Sequence, residues 1–182
     1  MLWLRRDEIK TSDNLDLSQF ASASGAESWT RRGREFLAER RYLLASQAFR
    51  MARLFHDAAI ADAFYLREQI DVVHPRMRPE ALRDAAQAFE RVATTSDNCE
   101  KRTEYFTTSS RLFSDIPDIP RAANCLLNAE SFTEAAVLYR QIGMFDEALG
   151  VVHQHASRVD ASTTRKIVHS AKLYYFQQLR IQ

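Results

Sequence analysis

From Trp29 onward, apolar residues recur at i, i+3, i+4 and i+7, the spacing of one face of an α-helix. The pattern is tightest between Arg121 and Arg158, where RAANCLLNAESF, EAAVLYRQIGMF and EALGVVHQHASR align when each is shifted by about 13 residues. One column is Ala in every copy (Ala122, Ala135, Ala148). The next read Cys125/Leu138/Val151, Leu126/Tyr139/Val152 and Ala129/Ile142/His155, with His155 the single polar exception. An invariant small residue lets neighbouring helices approach closely, and the aromatic at the following turn, Phe132 or Phe145, plugs the joint. Helices this short cannot bury a face alone, so they must stack.

Read in order, residues 1–28 form an irregular lead-in rich in Ser, Asp and Ala, with Trp3 as the residue expected to dock on the first helices. Helices are then expected at 29–40, 42–56, 58–72, 79–95, 99–114, 119–130, 132–142, 145–156 and 161–180, about nine in all. Pro75 and Pro79 interrupt the run, and Pro79 suits a first helical turn. An insertion at 73–78 stretches the interval from Ala45 to Ala85 to about 40 residues. Asp97 and Glu100 stand at capping-box spacing, Ser131 and Glu134 repeat it, Gly143 suits a C-cap, and Asp160 or Ser162 opens the final helix. That helix, with Ile167, Val168, Ala171, Leu173, Tyr174, Tyr175 and Phe176, is aromatic on more than one side, so it either caps the stack or continues a longer one.

Composition changes this picture little. Only 4 Gly and 4 Pro in 182 residues favour helices over strands and turns. A formal charge of +1 supplies no global field for nucleic acid or an anionic membrane. Cys99 and Cys125 are isolated and indicate neither a disulfide framework nor a zinc site. Met1 is followed by Arg5-Arg6-Asp7-Glu8 with no apolar h-region, and no run of about 18 apolar residues follows, so an intracellular protein of cytoplasm or nucleus is expected, without membrane contact.

Chemistry is sparse. The four glycines include no pair at P-loop, dinucleotide-turn or nucleophile-elbow spacing, and no H-E-x-x-H occurs. His153 and His155 are two apart, which on a helix points them to different sides, so no metal and no cofactor is expected. Glu134 and Glu147 recur at first-turn positions, where a negative charge complements the helix dipole. The candidate binding feature is a stripe of Arg31, Arg34 and Arg41 away from the side holding Trp29, Gly33 and Phe36, joined by Arg67 and Glu68 as further candidate partner contacts.

Trp29, Gly33 and Phe36, then Ala45, Phe49 and Ala52, fall on the spacing of the tetratricopeptide signature, and Ala85, Phe89 and Val92 repeat its second half. The resemblance implies an all-α, right-handed solenoid of TPR-like antiparallel helix pairs over 29–182. Its packing positions are the residues just named together with Ala122, Leu126, Phe132, Ala135, Tyr139, Gly143, Phe145 and Ala148. Positions corresponding to a peptide-binding surface, Thr30, Arg34, Phe64 and Glu68, lack the Lys/Asn clamp that holds acidic C-terminal tails. More particularly, SWTRRGREFLAERRYLLASQAFRMA, AFYLRE, AAVLYRQIGMFDEALGVV and AKLYYF resemble the helical region following the helicase core in fungal proteins related to TPR and ankyrin repeat-containing protein 1, relatives of UvrD-like superfamily 1 helicases. This chain has no P-loop, so the resemblance implies an accessory module and no motor activity. The leading expectation is a non-enzymatic scaffold binding a protein or extended peptide. The alternative is a nucleic-acid-binding module using the arginine stripe.

Overall fold

The computed structural model describes residues 25–180; the lead-in, with Trp3, lies outside them up to Gly25. Among the described residues all regular structure is helical: α1 (Ala26–Ala38), α2 (Tyr42–Met51), α3 (Phe55–Gln69), a 3-10 turn (Pro75–Met77), α4 (Arg78–Thr94), α5 (Cys99–Asp115), α6 (Ile119–Asn128), α7 (Phe132–Gln141), α8 (Phe145–Gln154) and α9 (Ala161–Leu179). The chain divides into two compact units, Met1–Ala61 and Asp62–Gln182, with the boundary inside α3.

In the first unit, α1 and α2 close on a core of Trp29, Phe36, Leu44, Ala45, Ala48, Phe49, Ala52, Ala58 and Ala61. Gly33 sets how near the two helices come. A Cβ built there would meet the Phe49 ring at 2.6 Å, so the ring occupies the space any side chain would need. The first helix starts at Ala26 rather than Trp29, placing Trp29 one turn inside α1, where it is buried.

In the second unit each helix from α4 onward packs on the next in chain order, and α9 also reaches back to α7. Phe64 meets Phe89 edge to face at 5.4 Å, and Phe89 lies 6.1 Å from Tyr105. Ser109 donates its hydroxyl to the Ala86 carbonyl at 2.8 Å, satisfying a polar group with no access to water. Arg121 spans from α6 to Glu90 of α4 at 2.9 Å while its guanidinium lies 4.4 Å above the Phe113 ring of α5. Ala85, Ala122, Ala135 and Ala148 are all completely buried at the helix crossings. Phe132 fills the joint before α7, stacked at 3.7 Å on His155, so the one polar member of its column serves as an aromatic.

Four helix ends share one turn, and a fifth, with Pro117 at φ 23°, closes in the same way through the Asp118 N–H on Phe113 at 3.0 Å. At Arg40, Arg53, Glu130 and Gly143 the backbone is left-handed (φ 59°, 61°, 59° and 77°). The next residue's N–H reaches back to Phe36, Phe49, Leu126 and Tyr139 at 2.8–3.0 Å, the six-residue closure of a Schellman motif. Four residues on, the N–H groups of Ala45, Ala58, Ala135 and Ala148 open the following helix. The period of 13 residues therefore governs Arg40–Ala58 as well as the region after Arg121.

This turn corrects the expected helix at 42–56. It ends at Met51, because Arg53 turns left-handed and Leu54 closes on Phe49, and Phe55 already belongs to α3. Two expected caps also differ. Asn98, not Asp97, caps α5 by accepting the Lys101 N–H at 2.9 Å. Ser131 occupies the N-cap of α7 without a side-chain bond, since the preceding Schellman turn has fixed its backbone. At α9 the choice falls on Asp160, whose two carboxylate oxygens accept the N–H groups of Ser162 and Thr163.

Candidate functional site

The arginines expected to form a stripe are dispersed. Arg31 and Arg34 are exposed on α1, but Arg31 is shared with Glu35 at 3.9 Å. Arg41 lies beyond α1 altogether, at the N-cap of α2, because the left-handed Arg40 reverses the chain between them. Its guanidinium stands 5.3 Å from the Phe36 ring and 3.7 Å from Glu39, half-buried and engaged. Arg67 and Glu68 are exposed on the part of α3 assigned to the second unit. The single basic stripe expected on one helix is therefore not formed.

The surface that stands out is the end of α9. This helix has 19 residues, whereas α8, on which it packs, has 10. Residues 174 and 175 of α9 still reach the start of α8, so only the last turn of α9, about 6 Å at about 1.5 Å per residue, runs past that neighbour. Ile167 and Ala171 are its last buried side chains. Tyr174 then lies 5.0 Å from Phe145, and the Tyr175 hydroxyl donates to Asp146 of α8. That hydrogen bond pushes the Tyr175 phenol up to about 12. These contacts fix the rotation of α9 and turn the other side outward. Leu173, Phe176 and Leu179 remain 53%, 68% and 71% exposed.

Position on the helical wheel groups these residues with cations. At about 100° per residue, Arg165, His169, Lys172, Leu173, Phe176, Leu179 and Arg180 fall within an arc of about 120°. All are exposed. From position 161 to the end the sequence holds Arg165, Lys166, Lys172 and Arg180 and no Asp or Glu. Asp160, before this stretch, is spent on the cap, and its hydrogen bonds from Thr163 and Ser162 hold its carboxyl below the usual aspartate range.

No reactive constellation competes with this face among the described residues. Cys125 is buried, and desolvation pushes its thiol up, away from the reactive thiolate. Its neighbour is the Ser109 hydroxyl at 3.5 Å. His153 is exposed on α8 while His155 stacks on Phe132. No group of three His, Cys, Asp or Glu side chains among the described residues is placed to hold a metal ion, and no described helix is long and apolar enough to cross a membrane. An open groove of about 520 Å³ beside Pro75, Leu82 and Ile116 carries Arg78 and Arg83, with Asp115 opposing their charge.

Sequence reading named the apolar content of the last helix but not which side is covered. That depends on the Tyr174–Phe145 contact and on the Tyr175–Asp146 bond, a pairing 29 residues apart. No protein-family model, curated protein or solved structure matches the chain.

Proposed function

We propose that this chain is a non-enzymatic helical-repeat scaffold that binds another protein, and that the outward face of α9 is its docking surface. The observation that carries the reading is the concentration of exposed apolar side chains there: Leu173, Phe176 and Leu179 stand together on the outward side, and among the described residues no other helix exposes as many large hydrophobics as α9. Elsewhere such residues are scattered, which is ordinary for a protein surface, whereas a cluster on one helix marks an interaction site. The two clusters of buried apolar side chains, around Trp29 and Phe49 in the first unit and around Phe132 and Ile167 in the second, hold the scaffold and leave the outward side of α9 to do the binding. Membership of a helicase-linked assembly is supported by the sequence resemblance. The arginine-stripe alternative has less support, because Arg31 faces Glu35 and Arg41 faces Glu39.

The test is site-specific photo-crosslinking in the intact chain, with a benzophenone side chain at position 176 or, as control, at the exposed Arg111 of α5. Position 176 should yield a protease-sensitive adduct that position 111 does not. Excess unlabelled chain should compete it away, and excess Phe176→Glu/Leu179→Glu chain should not. Absence of a protein adduct at 176 refutes the proposal.

A further inference from the structure

We infer that the occupant of the α9 face is an acidic amphipathic helix of another polypeptide, a step that rests on the protein-binding reading above. The face has two zones along its axis. Arg165, His169 and Lys172 lead, Leu173, Phe176 and Leu179 follow, and Arg180 closes the far end. Between Arg165 and Arg180 the axis runs about 22 Å, the length of four turns. A partner helix with a short apolar stripe and carboxylates on either side of it matches both zones at once, because Asp and Glu side chains reach the flanking cations while the stripe covers Phe176 and Leu179.

Charge complementarity also separates this occupant from the others. A second copy of this chain would bring Arg165, Lys172 and Arg180 against the same cations, since neither copy has a carboxylate within α9 to offset them. An anionic lipid surface or a nucleic-acid backbone is a broad field of phosphates, and it would also press on the exposed Asp146 and Glu147 of α8, which border the tyrosines of α9. A helix is narrow enough to lie along the outer face and leave that acidic border in water. The apolar zone is also brief, confined to 173–179, and suits two or three side chains of a partner better than insertion among acyl chains.

The experiment titrates the intact chain into a fluorescent 21-residue designed helix with Leu at heptad a and d positions and Glu at e and g, and into the same peptide with Lys for Glu. Saturable binding is expected for the acidic peptide. It should weaken by roughly tenfold or more for the Lys peptide, for Phe176→Glu/Leu179→Glu, and for Lys172→Glu/Arg180→Glu, and it should fall as NaCl rises from about 50 to about 300 mM. All four positions are exposed, and unchanged far-UV circular dichroism verifies that the variants fold. Equal binding of both peptides, or equal binding by the variants, overturns the inference. So does tighter binding to vesicles containing phosphatidylserine or to an oligothymidylate with the same variant sensitivity, and so does dimerisation in sedimentation equilibrium that Phe176→Glu abolishes. If the acidic peptide fails while crosslinking at 176 still yields a protein adduct, the partner class is wrong and the scaffold reading stands; if both fail, both fall.

Discussion

Helices α7 and α8 and the second half of α9 draw on the same kinds of side chain, and their fates are opposite. In α7 and α8, Phe132, Tyr139, Val151 and Val152 are buried in one cluster with Ala123, Val159 and Ile167, contributed by elements on either side of them. In α9, Leu173, Phe176 and Leu179 are no less apolar and stand in solvent. What differs is the side of the helix: Tyr174 and Tyr175 hold α9 against the start of α8, and Leu173, Phe176 and Leu179 lie on the side turned away from it. Burial is therefore decided by which side a neighbour covers as much as by composition.

The comparison is tested most severely at Phe132. Phe132→Ala removes a ring seated between α7, His155 and Arg158, and should cost about 3–5 kcal/mol of the second unit's stability in urea unfolding. A loss below about 1 kcal/mol would mean that the joints are not what closes this unit. A smaller effect is expected in the first unit, where Gly33→Ala puts a methyl group against the buried Phe49 ring at 2.6 Å and should cost about 1–3 kcal/mol. Combining it with Phe49→Leu, which vacates the ring, should cost less than the sum of the two single changes. Strict additivity would show that the contact at this crossing is not the cause.

The joints and the open end also differ in how they could be read beforehand. Helical spacing was visible throughout, because apolar periodicity is written in side-chain type. The single Ala column at 122, 135 and 148 was visible for the same reason. Gly143 could be recognised as a turn since glycine adopts positive φ freely. Arg40, Arg53 and Glu130 take the same conformation without any residue type that advertises it, so neither the period of 13 in the first unit nor the end of α2 before Arg53 is legible in the sequence. Asp97 stands at capping-box spacing, yet Asn98 holds the N-cap, since either residue type can cap and only the backbone chooses. The arginine stripe failed for a related reason: wheel positions hold only while the helix continues, and Arg41 lies past its end.

Those unmarked turns give the next prediction. Arg53 is exposed and held at φ 61°, a conformation that costs a residue with a Cβ about 1–2 kcal/mol. Arg53→Gly removes that cost but loosens the unfolded chain, so a net gain of about 0.5 kcal/mol is expected. Gly143→Ala, at φ 77° with open space around it, should go the other way by about 1 kcal/mol. If both changes are neutral in thermal unfolding, the turns follow from the packing of the helices and do not help to direct it.

The smallest effect is expected at an aromatic ring that stands largely in solvent. Phe176→Ala should change the stability of the free chain by no more than about 0.5 kcal/mol, since a 68% exposed ring loses little contact on removal. The same substitution removes most of what a docked helix would cover, so crosslinking yield and peptide affinity should fall while the urea midpoint and m-value stay put. Phe132→Ala should show the reverse pattern, with stability lost and the α9 face chemically unchanged. Phe176 and Phe132 thus form a matched pair, one ring spent on folding and the other kept for binding. If Phe176→Ala destabilised the free chain by more than about 1.5 kcal/mol, the ring would have to be covered before any partner arrives. The contrast between the covered and the outward side of a helix would then fail, and with it the reason for placing a docking surface on α9.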